Sequence, residues 1–586
     1  MSVYPIPLSC KINHVKWTIT TQPPNLMSMP DNGSLLSNII FKWLHVMKKF
    51  TFHILLLTSL FFNHGALAGA QLQQTIESWL GGYPAILKEE TVLNKDILNK
   101  FYIERNFEAA WLDSKGLTKQ GRELLGAIAS INEEGLLPAD YHGARVLAIL
   151  TASISPQDTA TYDLLLSDAF LTLASHLISG KVDPKDLNAE WEANRRHSDL
   201  QLLLENALKQ GDISAALDGL RTKQTRYFRL KKALATMRLL PNTAWKQKLA
   251  ESPAIKPSAS DNRIPVIAKR LQVWGDLSLQ QPSNETAQTY SAVLVESIKA
   301  FQGRHGLDAD GVIGRETIKA LNISPRERAK QIVVNMERWR WLAENLGDKY
   351  LLVNIAAFEL KIIDNNQTVF VKPVVVGRNY RKTPVFSNKI RYIVLNPTWT
   401  VPYKLAVEDK LSEIQKDPAY LNRLGIRVFK GDSPVPIDPF SISWNEINKR
   451  NFPFRLVQSP GPQNALGQVK FMFPNPHDVY LHDTPSRELF KKAERAFSSG
   501  CIRVSDPLEL AEFLLRSQGW DKTRIAAVIE NGETETVTLK TPVPIHIEYW
   551  TTWVDREGVN HFRNDIYDRD QPLWQALSKP LNHVEH

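Results

Sequence analysis

The sequence predicts a multidomain α+β protein: a helical scaffold, a three-helix module and a mostly β domain carrying an inserted lid. Three observations support this. Apolar residues recur at three- and four-residue intervals from Gln71 to about Leu249. A Pro/Ser-rich passage from Glu251 to Ser260 interrupts that pattern, and beyond Trp341 the period becomes that of strands. The 586 residues give room for three or four domains at roughly 150 residues each, and 43% hydrophobic with 23% charged residues suits folded cores rather than long disorder.

Residues 1–46 carry neither a targeting nor a core pattern and are expected to be a non-native upstream extension, with translation beginning at Met47. Met47-Lys48-Lys49, the apolar run Phe50 to Phe62 and the site Ala66-Leu67-Ala68 then read as a secretory signal peptide over 47–68, cleaved after Ala68. That run is too short for a comfortable membrane span, so no transmembrane segment is expected once it is removed. Its loss leaves 66 basic and 61 acidic residues, without the blocks of positive charge that nucleic-acid tracking requires. Cys10 is lost too, so Cys501 becomes the sole thiol and no internal disulfide can form. The chain has no HExxH, GxSxG or GxxxxGK(S/T) motif, which sets back metalloprotease, α/β-hydrolase and P-loop readings; no metal and no cofactor is expected.

Residues 69–255 are expected to be the scaffold, with helices over Leu117 to Ile131, Asp163 to Ser179 and Leu200 to Leu220 whose acids and arginines face solvent. In the module at 256–325, Ile264 to Trp274, Tyr290 to Gln302 and Arg315 to Leu321 read as three helices. The run Asp308-Ala309-Asp310-Gly311 lacks the full ligand set and closing glutamate of a calcium loop, and reads as a glycine-rich turn.

The β domain is expected over 326–530. It opens with a basic, tryptophan-bearing helix around Glu337 to Trp341, then strands at Leu351 to Ile355, Glu359 to Ile363, Thr368 to Val376 and Ile390 to Leu395. The proline-interrupted stretch from about 402 to 470 fits an insertion over the site rather than a sheet segment. Strands resume at Gln468 to Phe473, Val479 to Leu481 and Ile502 to Val504. Asp506, Pro507 and Glu509 then spell an N-cap, a first helical position and a capping box. Residues 531–586 are expected to be an aromatic segment packing on the core. His546-Ile547-Glu548 lacks the Pro-Cys-x-x-Cys of a zinc deaminase, and His583 with His586 reads as a frayed tail.

Cys501 lies in Phe497-Ser498-Ser499-Gly500-Cys501-Ile502-Arg503-Val504, and His482 ends a strand 19 residues upstream. A thiol with a pKa near ~8.5 is only slightly ionised at neutral pH, and an imidazole in reach can take its proton and return it to a leaving amine. Gly500 lets backbone approach a substrate, so amide N–H groups near Gly500 and Cys501 are candidates for stabilising an oxyanion. Arg503 has two readings, a substrate-carboxylate ligand or a brace for the turn. Tyr480 and Trp399 either line a donor cleft or belong to the core. Ser499, with no Ser-x-x-Lys activator nearby, reads as turn former or oxyanion support.

Two family resemblances follow from these residues. Ala300-Phe301-Gln302, His305-Gly306-Leu307 and Asp310-Gly311-Val312-Ile313-Gly314 resemble the three-helix peptidoglycan-binding domain. Tyr480-Leu481-His482-Asp483-Thr484-Pro485, followed by Ser498 to Val504, resembles the YkuD-type L,D-transpeptidase signature. The domain order, Asn396 to Pro402 and Pro544 to Trp550 are similar to the large YcbB-type members. The resemblance implies Cys501 as nucleophile and His482 as base in a periplasmic enzyme. Such an enzyme forms 3→3 diaminopimelate cross-links from tetrapeptide donors through a thioester, with release of D-Ala. It also implies peptidoglycan stem peptides and glycan as partners, possible association with other wall synthases, and inhibition by carbapenems. Many smaller relatives have His-Gly where this chain has Ser499-Gly500, which leaves open what orients His482. The alternatives are an L,D-carboxypeptidase using the same thioester, or a non-catalytic wall-binding scaffold.

Overall fold

A computed structural model describes residues 70–581, apart from 71, 76, 79–85, 88–89, 152–155, 188–190, 193–194 and 279–287. The upstream extension, the signal peptide with its cleavage site, and His583 with His586 lie outside the described residues.

Ten strands build the sheet that positions the site, eight of them forming its main run: β1 (Lys349–Asn354), β2 (Glu359–Asp364), β3 (Gln367–Gly377), β4 (Val385–Leu395), β5 (Val469–Met472), β6 (Leu481–His482), β7 (Ile502–Val504) and β8 (Glu535–Glu548); the short strands Trp191–Glu192 and Ala496–Ser498 add to it. The eight are ordered β5-β6-β7-β3-β2-β1-β8-β4. Because β4 also pairs with β5, Leu395 opposite Val469, the sheet closes on itself and exposes few free edges. Alternation sends Leu360, Ile362, Val374, Val376, Ile545 and Ile547 into one apolar core.

Segments from both sides of the expected β domain join that core. The helix Thr225–Leu239 brings Tyr227, Leu230 and Leu234 against the helix Pro325–Arg340, and the short strand Trp191–Glu192 pairs in parallel with β4. The boundary expected at 530 falls too early, because β8 lies inside the sheet between β1 and β4. Its signal is weakened by interspersed Thr, Glu and Lys and by two prolines: Pro542 falls where the register slips between Thr538 and Val543, and Pro544 just beyond, opposite Lys389. Tyr549, Trp550, Phe562 and Tyr567 are buried in the same core, and Trp550 stacks on Trp339 with centroids 4.3 Å apart.

In the scaffold, the run from Leu200 to Leu220 divides into two helices, Leu200–Gln210 and Ile213–Leu220. Gly211 ends the first with φ 73°, and the Asp212 carboxylate caps the second by accepting from Ala215 N–H at 2.8 Å. Its acids do not all face water. Asp163 is buried and accepts from the backbone of Ala110, Trp111 and Leu112, so one carboxylate satisfies several amides that would otherwise be unpaired. In the module, helices occupy Ile264–Trp274, Ala292–Arg304 and Arg315–Asn322. Gln302 accepts from Gly311 N–H and donates to Asp310 and Val312, holding the glycine-rich turn.

The inserted segment differs from expectation by having a sheet of its own. Trp399–Thr400, Phe454–Gln458, Ile426–Lys430 and Pro436–Ile437 pair in that order over a separate core that includes Ile414, Leu421 and Trp444. The helix Pro507–Leu515 forms, but the capping box does not. Asp506 stands at φ 51° without a side-chain cap, because Lys372 takes the Asp506 and Glu509 carboxylates at 3.1 and 2.7 Å.

Candidate active site

The register of three short strands sets the site. Lys470 of β5 stands opposite His482 of β6, which stands opposite Arg503 of β7; Phe471, Leu481 and Ile502 form the next row and are buried. With a two-residue side-chain period, Lys470, Tyr480, His482, Cys501 and Arg503 share one face, and the alternate residues anchor it to the core.

Among the described residues, Cys501 is the sole cysteine and it is half-buried. Its thiol points toward the Asp478 carbonyl at 3.8 Å and is within hydrogen-bonding reach of the Tyr480 hydroxyl. His482 is buried, with Nδ1 2.5 Å from the Asp483 carbonyl oxygen. A carbonyl only accepts, so Nδ1 carries the hydrogen and Nε2 keeps its lone pair. The backbone carbonyl of the next residue therefore orients the imidazole. The Asp483 carboxylate turns away to accept from Gln468 N–H at 2.9 Å.

His482 and Cys501 are diagonal neighbours across β6 and the start of β7, and among the described residues no hydrogen bond joins them. Burial, reinforced by the charges of Arg503 and Lys470, pulls the imidazole down to about 3. Burial pushes the Cys501 thiol up, against the opposing pull of Tyr480, Lys470 and Arg503. At neutral pH both groups rest uncharged, as thiol and imidazole rather than as an ion pair.

The turn before Cys501 is held from both sides. Ser498 Oγ donates to the Cys501 carbonyl at 2.5 Å and accepts from Gly500 N–H at 3.1 Å. Thr383 Oγ1 donates to the Gly500 carbonyl and accepts from Gly377 N–H, both at 2.9 Å. The Tyr567 hydroxyl donates to the Gly377 carbonyl at 2.6 Å and accepts from Thr383 N–H at 3.1 Å. Gly500 has φ 118°, a region that disfavours any side chain. At Gly377 a Cβ would lie 2.1 Å from the Arg381 carbonyl oxygen. Two expectations change as a result. The turn is held by Ser498 rather than the exposed Ser499, and Gly500 N–H is already used, leaving Cys501 N–H as the nearby amide without an acceptor among the described residues.

Arg503 is half-buried, and its buried Nε has no hydrogen-bond partner among the described residues. Arg378 and Cys501 are among the charges that act on it, alongside burial. Lys470 places Nζ 4.0 Å from the centroid of the Tyr480 ring, and burial lowers its pKa. Tyr480 is half-buried at this face, with its pKa raised by burial and by Cys501. Trp399 stands in the sheet of the inserted segment, opposite Gln458, and packs on that segment's core. His546 is a buried structural residue between Ser387 Oγ and the Leu346 carbonyl.

Sequence reasoning missed Lys470, Thr383, Tyr567 and the Asp483 carbonyl. Lys470 reaches the site only through strand register, and Thr383 and Tyr567 through contacts spanning 117 and 190 residues. Ser498 stood within the quoted motif, but nothing local separates it from Ser499.

Comparison with known proteins follows the same division. The YkuD family model, described as "L,D-transpeptidase catalytic domain", matches residues 348–545. A "Putative peptidoglycan binding domain" matches 260–321 and a "Scaffold domain" matches 96–234. The chain therefore carries an L,D-transpeptidase catalytic domain. More particularly, it joins that domain to a peptidoglycan-binding domain and a helical scaffold. A curated "Putative L,D-transpeptidase" from Haemophilus influenzae is 31% identical over 313 residues, covering 52% of this chain and 63% of that relative. The aligned part is thus under two thirds of the relative's length. Among solved structures, an L,D-transpeptidase from Mycobacterium smegmatis aligns at 12% identity and TM-score 0.18, over 34% of this chain and 58% of that one. One from Xylanimonas cellulosilytica aligns at 12% identity and TM-score 0.17, over 51% and 100%. Scores this low carry no weight for the fold.

Proposed function

We propose that the chain is a YcbB-type peptidoglycan L,D-transpeptidase that forms 3→3 cross-links through a thioester on Cys501. The observation that carries this reading is the placing of Cys501 and His482 on one face, with the imidazole pinned by Nδ1–H to a backbone carbonyl so that Nε2 is the free base. The matched catalytic and wall-binding domains supply the substrate class.

In the first step the thiol turns from the Asp478 carbonyl toward Nε2, which takes its proton as Sγ attacks the carbonyl carbon of the donor's third residue, diaminopimelate. Because both groups rest neutral, proton transfer accompanies attack instead of preceding it. Cys501 N–H and the Tyr480 hydroxyl are the donors nearest the developing oxyanion, and Lys470 and Arg503 add positive potential on the same face. The tetrahedral intermediate expels D-Ala, which leaves with the proton from Nε2. The side-chain amine of a second diaminopimelate then attacks the thioester, forming the amide and returning the proton to sulfur. Arg503, whose Nε has no partner among the described residues, is the proposed ligand for a substrate carboxylate.

The site acts in the periplasm in this reading. Among the described residues no helix is long and apolar enough to cross a membrane. Incubation with disaccharide tetrapeptides tests the proposal. Dimers linked through two diaminopimelates support it, tripeptide alone assigns the thioester to hydrolysis, and unchanged tetrapeptide overturns both.

A further inference from the structure

A turn that the mechanism above does not use joins the inserted segment to the nucleophile loop. Residues 378–383 bond three successive loop residues: Arg378 N–H donates to the Ser498 carbonyl at 3.1 Å, Arg381 Nη1 to Ser499 Oγ at 3.2 Å, and Thr383 Oγ1 to the Gly500 carbonyl at 2.9 Å. The same Arg381 holds the inserted segment. Its Nη1 and Nη2 donate to the two Asp409 carboxylate oxygens at 2.6 and 2.7 Å, and Nη2 donates to Glu408 at 2.8 Å. Glu408 and Asp409 lie in a π-helical turn, Ala406–Lys410, whose wider winding turns two adjacent carboxylates toward one guanidinium. The Arg381 side chain is 10% exposed, whereas Glu408 and Asp409 are 35% and 38% exposed, so the cation is the more enclosed partner and the two carboxylates lie nearer solvent.

We propose that Arg381 is a positioning residue that latches the inserted lid to the nucleophile loop. With the latch made, the lid's first turn is held against the Ser499 side of the loop, two residues from the sulfur. Releasing it opens the cleft to the stem peptide and frees the Ser499 contact in the same movement. The fork geometry matters, because only a planar guanidinium can bind one carboxylate through two parallel bonds and still reach a second carboxylate and a hydroxyl. The role in turnover rests on the transpeptidase reading, but the latch itself does not.

The test compares Glu408→Gln/Asp409→Asn, Arg381→Lys and the charge reversal Arg381→Glu with Asp409→Arg in the full chain. Amide hydrogen exchange over residues 403–416 reads the latch without requiring turnover. Intact-mass measurement of the Cys501 acylation rate by a carbapenem reads its consequence. Exchange in the lid is expected to rise about tenfold in the first two variants, a change of about 1.4 kcal/mol in opening, at an unchanged melting temperature. Acylation is expected to slow, and raising salt should reproduce both effects in wild type. The reversed pair should recover lid protection above that of Arg381→Glu alone. Wild-type exchange and acylation rates in the first two variants would overturn the latch. A wild-type protein that shows the exchange changes but is never acylated would keep the latch and remove the catalytic reading.

Discussion

Replacing Thr383 by valine removes one hydroxyl of nearly unchanged volume and leaves two backbone groups unpaired, so it measures how firmly the nucleophile loop is held. Thr383 is fully buried, and its Oγ1 serves Gly377 N–H and the Gly500 carbonyl at once. An unpaired buried backbone group costs about 1–3 kcal/mol, so the substitution should destabilise by roughly 2–6 kcal/mol if neither group finds water. Thr383→Ser keeps the hydroxyl and loses only a methyl, and should cost about 1 kcal/mol. Urea unfolding followed by tryptophan fluorescence gives the stability change. The rate at which Cys501 is acylated by a carbapenem gives the functional one, and valine should slow acylation well beyond its effect on the folded fraction. If valine and serine match wild type within about 0.5 kcal/mol and acylate at its rate, the Tyr567–Thr383–Gly500 chain does not position the loop.

Other consequences follow from the same geometry. Ser498→Ala unpairs Gly500 N–H and the Cys501 carbonyl and should cost about 2–6 kcal/mol if neither finds water, whereas Ser499→Ala should leave global stability within about 0.5 kcal/mol; equal losses in parallel melts would contradict the assignment of the turn to Ser498. Because His482 is held down near 3 and the thiol is pushed up, the neutral pair that reacts is already complete at pH 5, and the acylation rate should stay level from pH 5 to 8; a clear rise through the ordinary histidine value near 6.5 would show that an imidazolium had to be discharged first. His176 is likewise lowered to about 3 by burial, and groups depressed in the folded state lose stability as pH falls below their unfolded value. Each of the two should remove up to about 1.4 kcal/mol per pH unit between 6.5 and 3. His142 has the opposite sign: burial is outweighed by hydrogen bonds to Asp168 and Glu90, raising it to about 9. Its contribution is complete below 6.5 and is lost as pH rises toward 9, so His142→Gln should flatten the alkaline side of the melting-temperature profile.

The sequence was most informative where a pattern was local. The three helices of the module, most strands before residue 400 and the Cys501 motif were all legible, because periodicity and turn residues act over a few positions. Failures came where distant pairing decided the outcome. β8 was missed because prolines interrupt its alternation at a register slip, and Trp191 could not be assigned to the catalytic sheet because its partner lies 194 residues away, at Val385. The capping box at Asp506 and Glu509 is correct as a local pattern, yet Lys372 from β3 offers both carboxylates a charged partner and wins. At the site, types and order of residues pointed to nucleophile and base. Which serine holds the turn, what orients His482, and the presence of Lys470 depend on register and backbone carbonyls that no composition reveals.

The residue that holds the acyl group during turnover decides whether Cys501 is the nucleophile. Rapid acid quenching of the enzyme with a tetrapeptide donor, followed by peptide mapping in the mass spectrometer, should find a tripeptide acyl group on the peptide containing Cys501, absent from Cys501→Ala. An acyl group on another residue, or cross-linked dimers still formed by Cys501→Ala, would contradict it.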